Sequence, residues 1–293
     1  MKTKTWLIAF ASVCCLQYSA LVASAAATTI DAANNNAYAA NLGWIDWRGD
    51  TANGAVIGDY VCSGSIYSAN TGWISLGNGS PTNQVRYQNL SANDFGVNHD
   101  GAGNLRGYAY GANIGWINFE STGAPKVNLL TGELSGLAYS ANCGWISLSN
   151  SAALVQTDSF DPGLLAPNGL PVPWLITYFG TTNVSGTADS DNDGVSNANE
   201  YLAGTSPIDA NSTLRITSQS FANQGIGVTL QWSSVSNRLY HIEKTLSLSA
   251  PVWTESALGT IAPDAGAFTL RGYVDRPAPM RFFRIRAARP LLP

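Results

Sequence analysis

The stretch Ala40-Asn41-Leu42-Gly43-Trp44-Ile45 decides the fold, because its pattern, Ala-Asn-x-Gly-Trp-Ile, occurs four times in the chain. The later copies begin at Ala69, Ala112 and Ala141, and every copy has a tyrosine six residues before its tryptophan. Successive tryptophans are 29, 43 and 29 residues apart, so a pair of units is duplicated with an offset of 72 residues. Repeats of this kind indicate a domain built from copies of one small unit that pack against each other.

The residues around each copy predict a β-hairpin. In the fourth copy, residues alternate in polarity on both sides of Asn142-Cys143-Gly144, a segment that suits a turn with a left-handed glycine. The expected register places Ala141 opposite Trp145 and Tyr139 opposite Ser147. Tyrosine and tryptophan would then be diagonal neighbours on one face of the hairpin.

Additional hairpins are predicted upstream of the later copies, over residues 95–103 and 127–136. Each unit is therefore expected to be a three-stranded meander, within a β repeat domain that spans residues 28–150. A closed ring, a solenoid and a packed sandwich all remain compatible with the repeat.

The four tyrosine–tryptophan pairs have two interpretations. Exposed, they would form an array of flat aromatic platforms on which sugar rings stack, and the repeat domain would be a glycan-binding module. Buried, they would fill the same place in the core of every unit. Because the spacing is identical in all four copies, the sequence favours the core interpretation.

The N-terminus predicts export. Lys2 and Lys4 precede an apolar run that ends in small residues near Ala25, which is typical of a secretory signal peptide over residues 1–25. We therefore expect a secreted or cell-surface protein of bacterial type, with no membrane span after cleavage. The chain has a net charge of −4 before the two lysines are removed, so it offers no electrostatic attraction for nucleic acid.

Composition adds two further expectations. Only 12% of residues are charged and 45% are apolar, with 29 glycines, a balance that suits a mainly β protein. Beyond the signal peptide only Cys62 and Cys143 remain. An exported protein can oxidise such a pair, but the two residues occupy different phases of the repeat, and the sequence leaves their pairing open.

Catalytic residues are scarce. The chain has two histidines, His99 and His241, which argues against a zinc site or a histidine-based triad. The repeat region contains several carboxylates, none of which recurs between units: Asp46, Asp50, Asp59, Asp94, Asp100, Glu120 and Glu133. A carbohydrate-active enzyme with a carboxylate pair is therefore the alternative, and a non-catalytic protein is the first expectation.

One segment predicts specific chemistry, namely a calcium site. In the run from Asp189 to Glu200, acidic residues stand at positions 1, 3, 5 and 12, and Gly194 stands at position 6. This is the spacing of an EF-hand-type loop, in which alternating carboxylates surround one hard cation and a bidentate glutamate completes the shell. The expected ligands are Asp189, Asp191, Asp193, the carbonyl of Val195, Asn197 through a water, and Glu200.

The surrounding connector, residues 151–211, resembles the calcium-binding connectors of exported bacterial proteins. The resemblance rests on Trp174-Leu175-Ile176-Thr177-Tyr178-Phe179-Gly180, on the acidic loop, and on the run from Asn197 to Pro207. Such connectors are similar to thrombospondin type 3 repeats and to the dockerin loop. The resemblance implies a structural spacer. Independently of it, proline and glycine signals predict short helices over 172–179 and 196–202. Residues 164–169 lack the carboxylates of an earlier loop, so only one calcium site is implied.

The last segment, residues 212–289, predicts a small β-sandwich. Short alternating stretches recur over 213–217, 227–232, 239–244, 268–273 and 281–286. Leu230-Gln231-Trp232, Tyr240-His241-Ile242-Glu243 and Arg281-Phe282-Phe283-Arg284-Ile285 resemble the fibronectin type III-like module that commonly follows this connector. The sequence as a whole predicts a secreted structural or ligand-binding protein, whose extracellular ligand, a glycan among the candidates, is not specified.

Overall fold

The computed structural model describes residues 28–49, 52–222, 226–275 and 280–291. The predicted signal peptide lies outside these residues. Within them, no helix combines the length and apolar character that crossing a bilayer requires.

The repeat region is a set of short antiparallel strands. In chain order they are β1 (Ile30–Ala39), β2 (Gly43–Asp46), β3 (Val56–Ile57), β4 (Cys62–Ser68), β5 (Gly72–Asn78), β6 (Val97–His99), β7 (Leu105–Gly111), β8 (Gly115–Asn118), β9 (Lys126–Val127), β10 (Leu134–Ser135), β11 (Leu137–Ser140), β12 (Gly144–Ser147) and β13 (Leu154–Thr157). Each Ala-Asn-x-Gly-Trp-Ile copy forms the turn and outgoing strand of one hairpin, as predicted, and the hairpins are β1–β2, β4–β5, β7–β8 and β11–β12. The further hairpins predicted upstream are also present, as β6–β7 and β9–β10.

The four hairpins close into an eight-stranded antiparallel barrel. Neighbouring hairpins pair through β2–β4, β5–β7 and β8–β11, and the last strand, β12, pairs with β1. From one hairpin to the next the register advances by two residues, as from Trp44, paired with Tyr38, to Asp46, paired with Tyr67. Four such steps give a shear of eight residues for eight strands. A barrel of this size has an interior just wide enough to be filled by side chains.

Repeat-equivalent side chains fill that interior in layers. Strand alternation turns the isoleucine of each motif inward, and this central layer is fully buried: Ile45, Ile74, Ile117 and Ile146. Facing them on the incoming strands are Ala37, Ile66, Ala109 and Ala138, all buried. A second buried layer lies further along the outgoing chain and consists of Trp47, Leu76, Phe119 and Leu148. The barrel interior is therefore filled by a mixture of small and large apolar side chains.

The asparagine of the motif joins each hairpin turn to the preceding one. Its side-chain amide donates a hydrogen bond to the carbonyl of the variable motif residue one unit back, at 2.9 to 3.1 Å. The four bonds run from Asn70 to Leu42, Asn113 to Thr71, Asn142 to Ile114 and Asn41 to Cys143. The last bond connects the first unit to the fourth, so the ring of asparagines closes together with the barrel.

The connector contains two short helices, α1 (Val172–Phe179) and α2 (Asn197–Ala203). Each ends at a left-handed glycine, Gly180 and Gly204, which accepts the positive φ that stops the helix. The predicted ends of the first helix are confirmed, and the second begins one residue later than predicted and continues to Ala203. Trp174 and Tyr201 hold the two helices together, with ring centroids 5.7 Å apart.

The C-terminal segment contains two three-stranded antiparallel sheets. The strands are β14 (Ile216–Ala222), β15 (Gly227–Ser233), β16 (Leu239–Thr245), β17 (Thr254–Glu255), β18 (Phe268–Val274) and β19 (Phe282–Ala288), in the orders β14-β15-β18 and β17-β16-β19. Both sheets contribute to one hydrophobic cluster, which includes Trp232 and Tyr240. The first strand is displaced from its predicted position, because residues 216–222 rather than 213–217 pair with β15.

Candidate functional site

The aromatic side chains of the four motifs lie on the outside of the barrel, so the prediction that they form the core is wrong. The four tryptophans are 45% to 51% exposed and the four tyrosines 38% to 41%. The reason is strand alternation combined with closure. Once the isoleucine of each motif faces the interior, the preceding tryptophan must face solvent, and eight aromatic rings at one level would not fit inside.

The hairpin register also differs from the predicted one by two residues on the incoming strand, because Trp145 pairs with Tyr139 and not with Ala141. Tyr139 pairs directly with Trp145, and Ser140 pairs with Gly144, so the turn consists of the three residues between them. Gly144 has a φ of 78°, as a left-handed residue beside the turn requires. Direct pairing brings the rings of each tyrosine and tryptophan into contact, with centroids 4.9 to 5.3 Å apart in all four units.

The acidic loop between α1 and α2 is a candidate metal centre. One carboxylate oxygen from each of Asp189, Asp191 and Asp193 lies within 4.8 Å of the other two. The loop is folded onto these side chains, because Asp189 accepts hydrogen bonds from the backbone N–H groups of Asn192 and Gly194, at 2.8 and 2.9 Å. Gly194 has a φ of 92°, which satisfies the predicted requirement for a sharp turn at position 6.

Glu200 and Asn197 lie in the first turn of α2, directly after the acidic loop, and both are fully buried. Glu200 is near enough to the aspartates to feel their charges, although it is not part of the three-aspartate cluster. The Oε2 atom of Glu200 and the Oδ1 atom of Asn197 have no hydrogen-bond partner among the described residues, and neither do the Oδ2 atoms of Asp191 and Asp193. Buried oxygens without a donor are costly. Two of these oxygens belong to the aspartate cluster, so the three aspartates form a group that could hold a metal ion.

Electrostatics support the same conclusion. Burial and then the nearby carboxylates Asp191 and Asp193 raise the pKa of Glu200 to about 7. The pKa of Asp193 is also raised, mainly by burial and further by its acidic neighbours. Without a bound cation, the ionised forms of these carboxyl groups are therefore unfavourable.

The remaining sequence-predicted ligands have distinct surroundings. Val195 lies within the loop, and its backbone N–H donates to Asp193 at 2.7 Å. Asn197 is anchored by its own amide, which donates to the carbonyl of Ser185 at 2.9 Å. This contact holds the Oδ1 atom of Asn197 in the buried position described above, a role that the sequence spacing alone did not indicate.

Tyr201, the residue after Glu200, takes part in contacts that connect the three parts of the chain. Tyr201 packs in the connector core, and the guanidinium groups of Arg238 and Arg289 lie 5.8 and 5.5 Å from its ring centroid. Arg238 is buried and donates to the carbonyls of Tyr201 and Leu202 at the end of α2. Arg289 also forms an ion pair with Asp59 of the barrel region, at 2.5 Å. An ordered α2 is therefore connected to residues on both sides of the connector.

The other titratable groups singled out in the sequence support the backbone. His99 is buried, its Nδ1–H donates to the carbonyl of Gly58 at 2.9 Å, and its Nε2 accepts from the N–H of Gly103 at 3.1 Å. Asp94 and Asp100 accept several hydrogen bonds within their own loops, and these bonds lower the pKa of both carboxyls. Cys62 and Cys143 are both buried and unpaired.

One carboxyl pair was not anticipated from the sequence. Burial and the neighbouring carboxyl of Asp31 raise the pKa of Asp158, which lies directly after β13. The two residues are 127 positions apart, and only the pairing of β13 with β1 brings them together. Arg48 lies near them and lowers the same pKa.

Comparison with protein-family models, with curated proteins and with solved structures finds no match for this chain.

Proposed function

We propose that this chain is an exported, non-catalytic structural or ligand-binding protein of the cell exterior, with one calcium ion ordering its connector. The observation that carries the proposal is the cluster of Asp189, Asp191 and Asp193. Burial and then the charges of this cluster raise the pKa of Glu200, a fully buried carboxylate with an unpartnered oxygen. Export is the part of the proposal that rests on the signal-peptide pattern of residues 1–25.

The donor set fits calcium. Asp189, Asp191, Asp193 and Glu200 supply carboxylate oxygens, Val195 a backbone carbonyl, and Asn197 an amide oxygen. All of these are hard oxygen ligands, which calcium accepts in a flexible coordination geometry. When bound, the ion supplies the positive charge that these buried oxygens lack. Its effect on the chain would be to hold Glu200 against the loop, and hence to fix the start of α2.

Ordering of α2 explains why such a site would stand in a connector. Because Arg238 contacts the carbonyls at the end of this helix, and Arg289 links its Tyr201 to Asp59, a stable α2 limits the movement of the flanking regions. This agrees with the spacer role implied by the resemblance to thrombospondin type 3-like connectors. A fibronectin type III-like module after the connector is part of the same proposal, supported by the two sheets that share one core.

The enzyme alternative receives less support. Asp46, Asp94 and Glu120 each accept backbone hydrogen bonds that hold local turns. The pair formed by Asp31 and Asp158 is the best candidate for acid–base chemistry, but Asp31 also accepts the N–H groups of Ala33 and Asn34. These carboxylates thus have structural roles that account for their positions.

The proposal is tested by calcium titration of the chain without its signal peptide. Isothermal titration calorimetry should show one calcium per chain, and thermal unfolding should shift upward between EGTA and millimolar calcium. At 100 times Kd the bound ion stabilises the folded state by about 2.7 kcal/mol. Asp189→Ala and Glu200→Ala should abolish the shift, whereas Glu133→Gln, an exposed barrel carboxylate, should retain it. An unchanged transition in wild-type protein would contradict the calcium site, and turnover of a glycan that depends on Asp158 would contradict the non-catalytic assignment.

A further inference from the structure

The four aromatic pairs are equivalent in the repeat, but their surroundings on the barrel surface differ. On the outer face, the residue two positions before each motif tyrosine lies next to the pair. It is Asn36 in the first unit and Ser65 in the second, but Tyr108 in the third and Leu137 in the fourth. The first two units therefore have a small polar neighbour where the last two have a bulky apolar one.

This difference determines where the surface has room for a ligand. An open cavity of about 480 Å³ lies beside Trp44, and one of about 460 Å³ lies beside Trp73. In the third unit, Phe95 and Tyr108 approach Trp116 edge-on, with ring centroids 5.1 and 6.2 Å away, and occupy the corresponding place. In the fourth unit the apolar side chain of Leu137 lies there.

The walls of the two cavities both combine a tryptophan with neutral polar side chains. Around Trp44 these are Asn34, Asn36, Asn150 and Ser151, together with the apolar residues Ala33, Ala152, Ala153 and Leu154, and around Trp73 they are Asn53, Ser63, Ser65, Ser75 and Asn78. Among the described residues that line them, none carries a charge. Each cavity thus offers one flat aromatic face surrounded by neutral hydrogen-bonding groups.

We infer that the cavities at Trp44 and Trp73 are binding sites for a neutral saccharide, which deepens the proposed ligand-binding function and rests on it. A sugar ring presents C–H groups on one face and hydroxyls around its edge, which match an indole face with amides and hydroxyls beside it. An acidic ligand would need cations that these walls lack. A protein partner would need a continuous apolar patch, whereas here polar residues separate aromatic pairs that point in different directions around a barrel.

The two sites belong to neighbouring hairpins. The first hairpin ends in β2, which pairs with β4 of the second. Two strand spacings of about 4.8 Å, combined with the register step of two residues, about 7 Å along the strands, separate corresponding backbone positions by about 12 Å. Because the two tryptophans point in different directions around the barrel, a saccharide that contacts both must follow the curvature of the barrel over several sugars, and the affinity should then rise with chain length.

The repeat itself supplies the test variants. Asn36→Leu and Ser65→Leu introduce the residue found at the same position of the fourth unit, so the barrel accommodates it while the cavity is filled. Trp44→Ala and Trp73→Ala remove the stacking faces. Trp116→Ala and Trp145→Ala are the matched controls, because they remove equally exposed tryptophans whose neighbours two positions before the motif tyrosine are the bulky Tyr108 and Leu137.

Binding is measured by isothermal titration calorimetry with maltohexaose, cellohexaose, xylohexaose, laminarihexaose and N-acetylchitohexaose, and with polygalacturonate as the acidic probe. At least one neutral probe should bind. Each change at Asn36, Ser65, Trp44 or Trp73 should weaken it about tenfold, and the two control variants should stay within about twofold of wild type. The inference is overturned if no neutral probe binds, if polygalacturonate binds preferentially, if the control tryptophans matter equally, or if the exposed aromatics mediate self-association in sedimentation experiments. Thermal scans of the same samples in calcium and EGTA report on the connector separately, so failure of the saccharide sites is distinguishable from failure of the proposed function.

Discussion

Replacement of Glu200 by glutamine should have opposite effects on stability with and without calcium. In the calcium-free protein the pKa of Glu200 is about 7, against 4.5 for an ordinary glutamate, because the carboxyl is buried beside Asp191 and Asp193. A folded-state pKa that is raised means that the unfolded chain loses this proton first. The stability of the calcium-free connector is therefore highest at acidic pH and falls as the pH rises from about 4.5 to about 7.

The size of the effect follows from the pKa difference. Each pKa unit corresponds to about 1.4 kcal/mol, so the shift from 4.5 to about 7 sets an upper limit of roughly 3.5 kcal/mol. Because the proton is shared among interacting carboxylates, we expect roughly 2 kcal/mol for Glu200 itself. Glu200→Gln removes this charge and keeps the shape of the side chain. In EGTA at pH 7.5 the variant should thus be more stable than the wild type by that amount, whereas in millimolar calcium the wild type gains the binding energy and the variant largely does not.

The assay is hydrogen exchange of the amides in residues 197–203, read by mass spectrometry at pH 5.5 and 7.5, in EGTA and in calcium. It reports the free energy of opening of α2 locally, so that unfolding of the barrel does not obscure it. Glu133→Gln, which changes an exposed carboxylate of the barrel, should behave as wild type throughout. If Glu200→Gln opened more readily than wild type in EGTA at pH 7.5, the explanation through a buried, uncompensated charge would be refuted.

Two further predictions concern the barrel. Burial lowers the pKa of His99, so the neutral imidazole stabilises the fold fully above about pH 6.5, and this stability is lost as the pH falls toward the lowered pKa. Urea unfolding of the wild type should therefore show a lower free energy of unfolding at pH 5 than at pH 7.5. His99→Gln should be less stable than the wild type at pH 7.5, and its stability should decrease less between the two pH values. Asn70→Ala removes the amide that donates to the carbonyl of Leu42 in the neighbouring hairpin at 2.9 Å and should cost about 1 kcal/mol in the same assay. Asn93→Ala, at an exposed asparagine outside the ring, is the control, and an equal loss there would show that the ring has no special role.

Local features of the connector could be predicted from the sequence because they depend on residues close together in the chain. The positions of Asp189, Asp191 and Asp193 determine that their carboxylates meet, and Gly180 determines where α1 ends. The burial of Glu200 was not predictable in the same way. It depends on the packing of Tyr201, the next residue of α2, against Trp174 of the other helix.

The repeated motif also shows the difference between features that follow from the local sequence and features that depend on tertiary packing. The sequence by itself determined four hairpins, their turns, and the fact that tyrosine and tryptophan share a face, because turn chemistry and period-2 alternation are local properties. Which face is inside was decided only when β12 paired with β1. A closed barrel of eight strands and a shear of eight leaves an interior that isoleucines and alanines fill, so the aromatic pairs lie on the surface. The identical spacing that suggested a buried core is therefore the spacing of an exposed ring, and the neighbours at Asn36, Ser65, Tyr108 and Leu137 decide which of its members has room for a ligand.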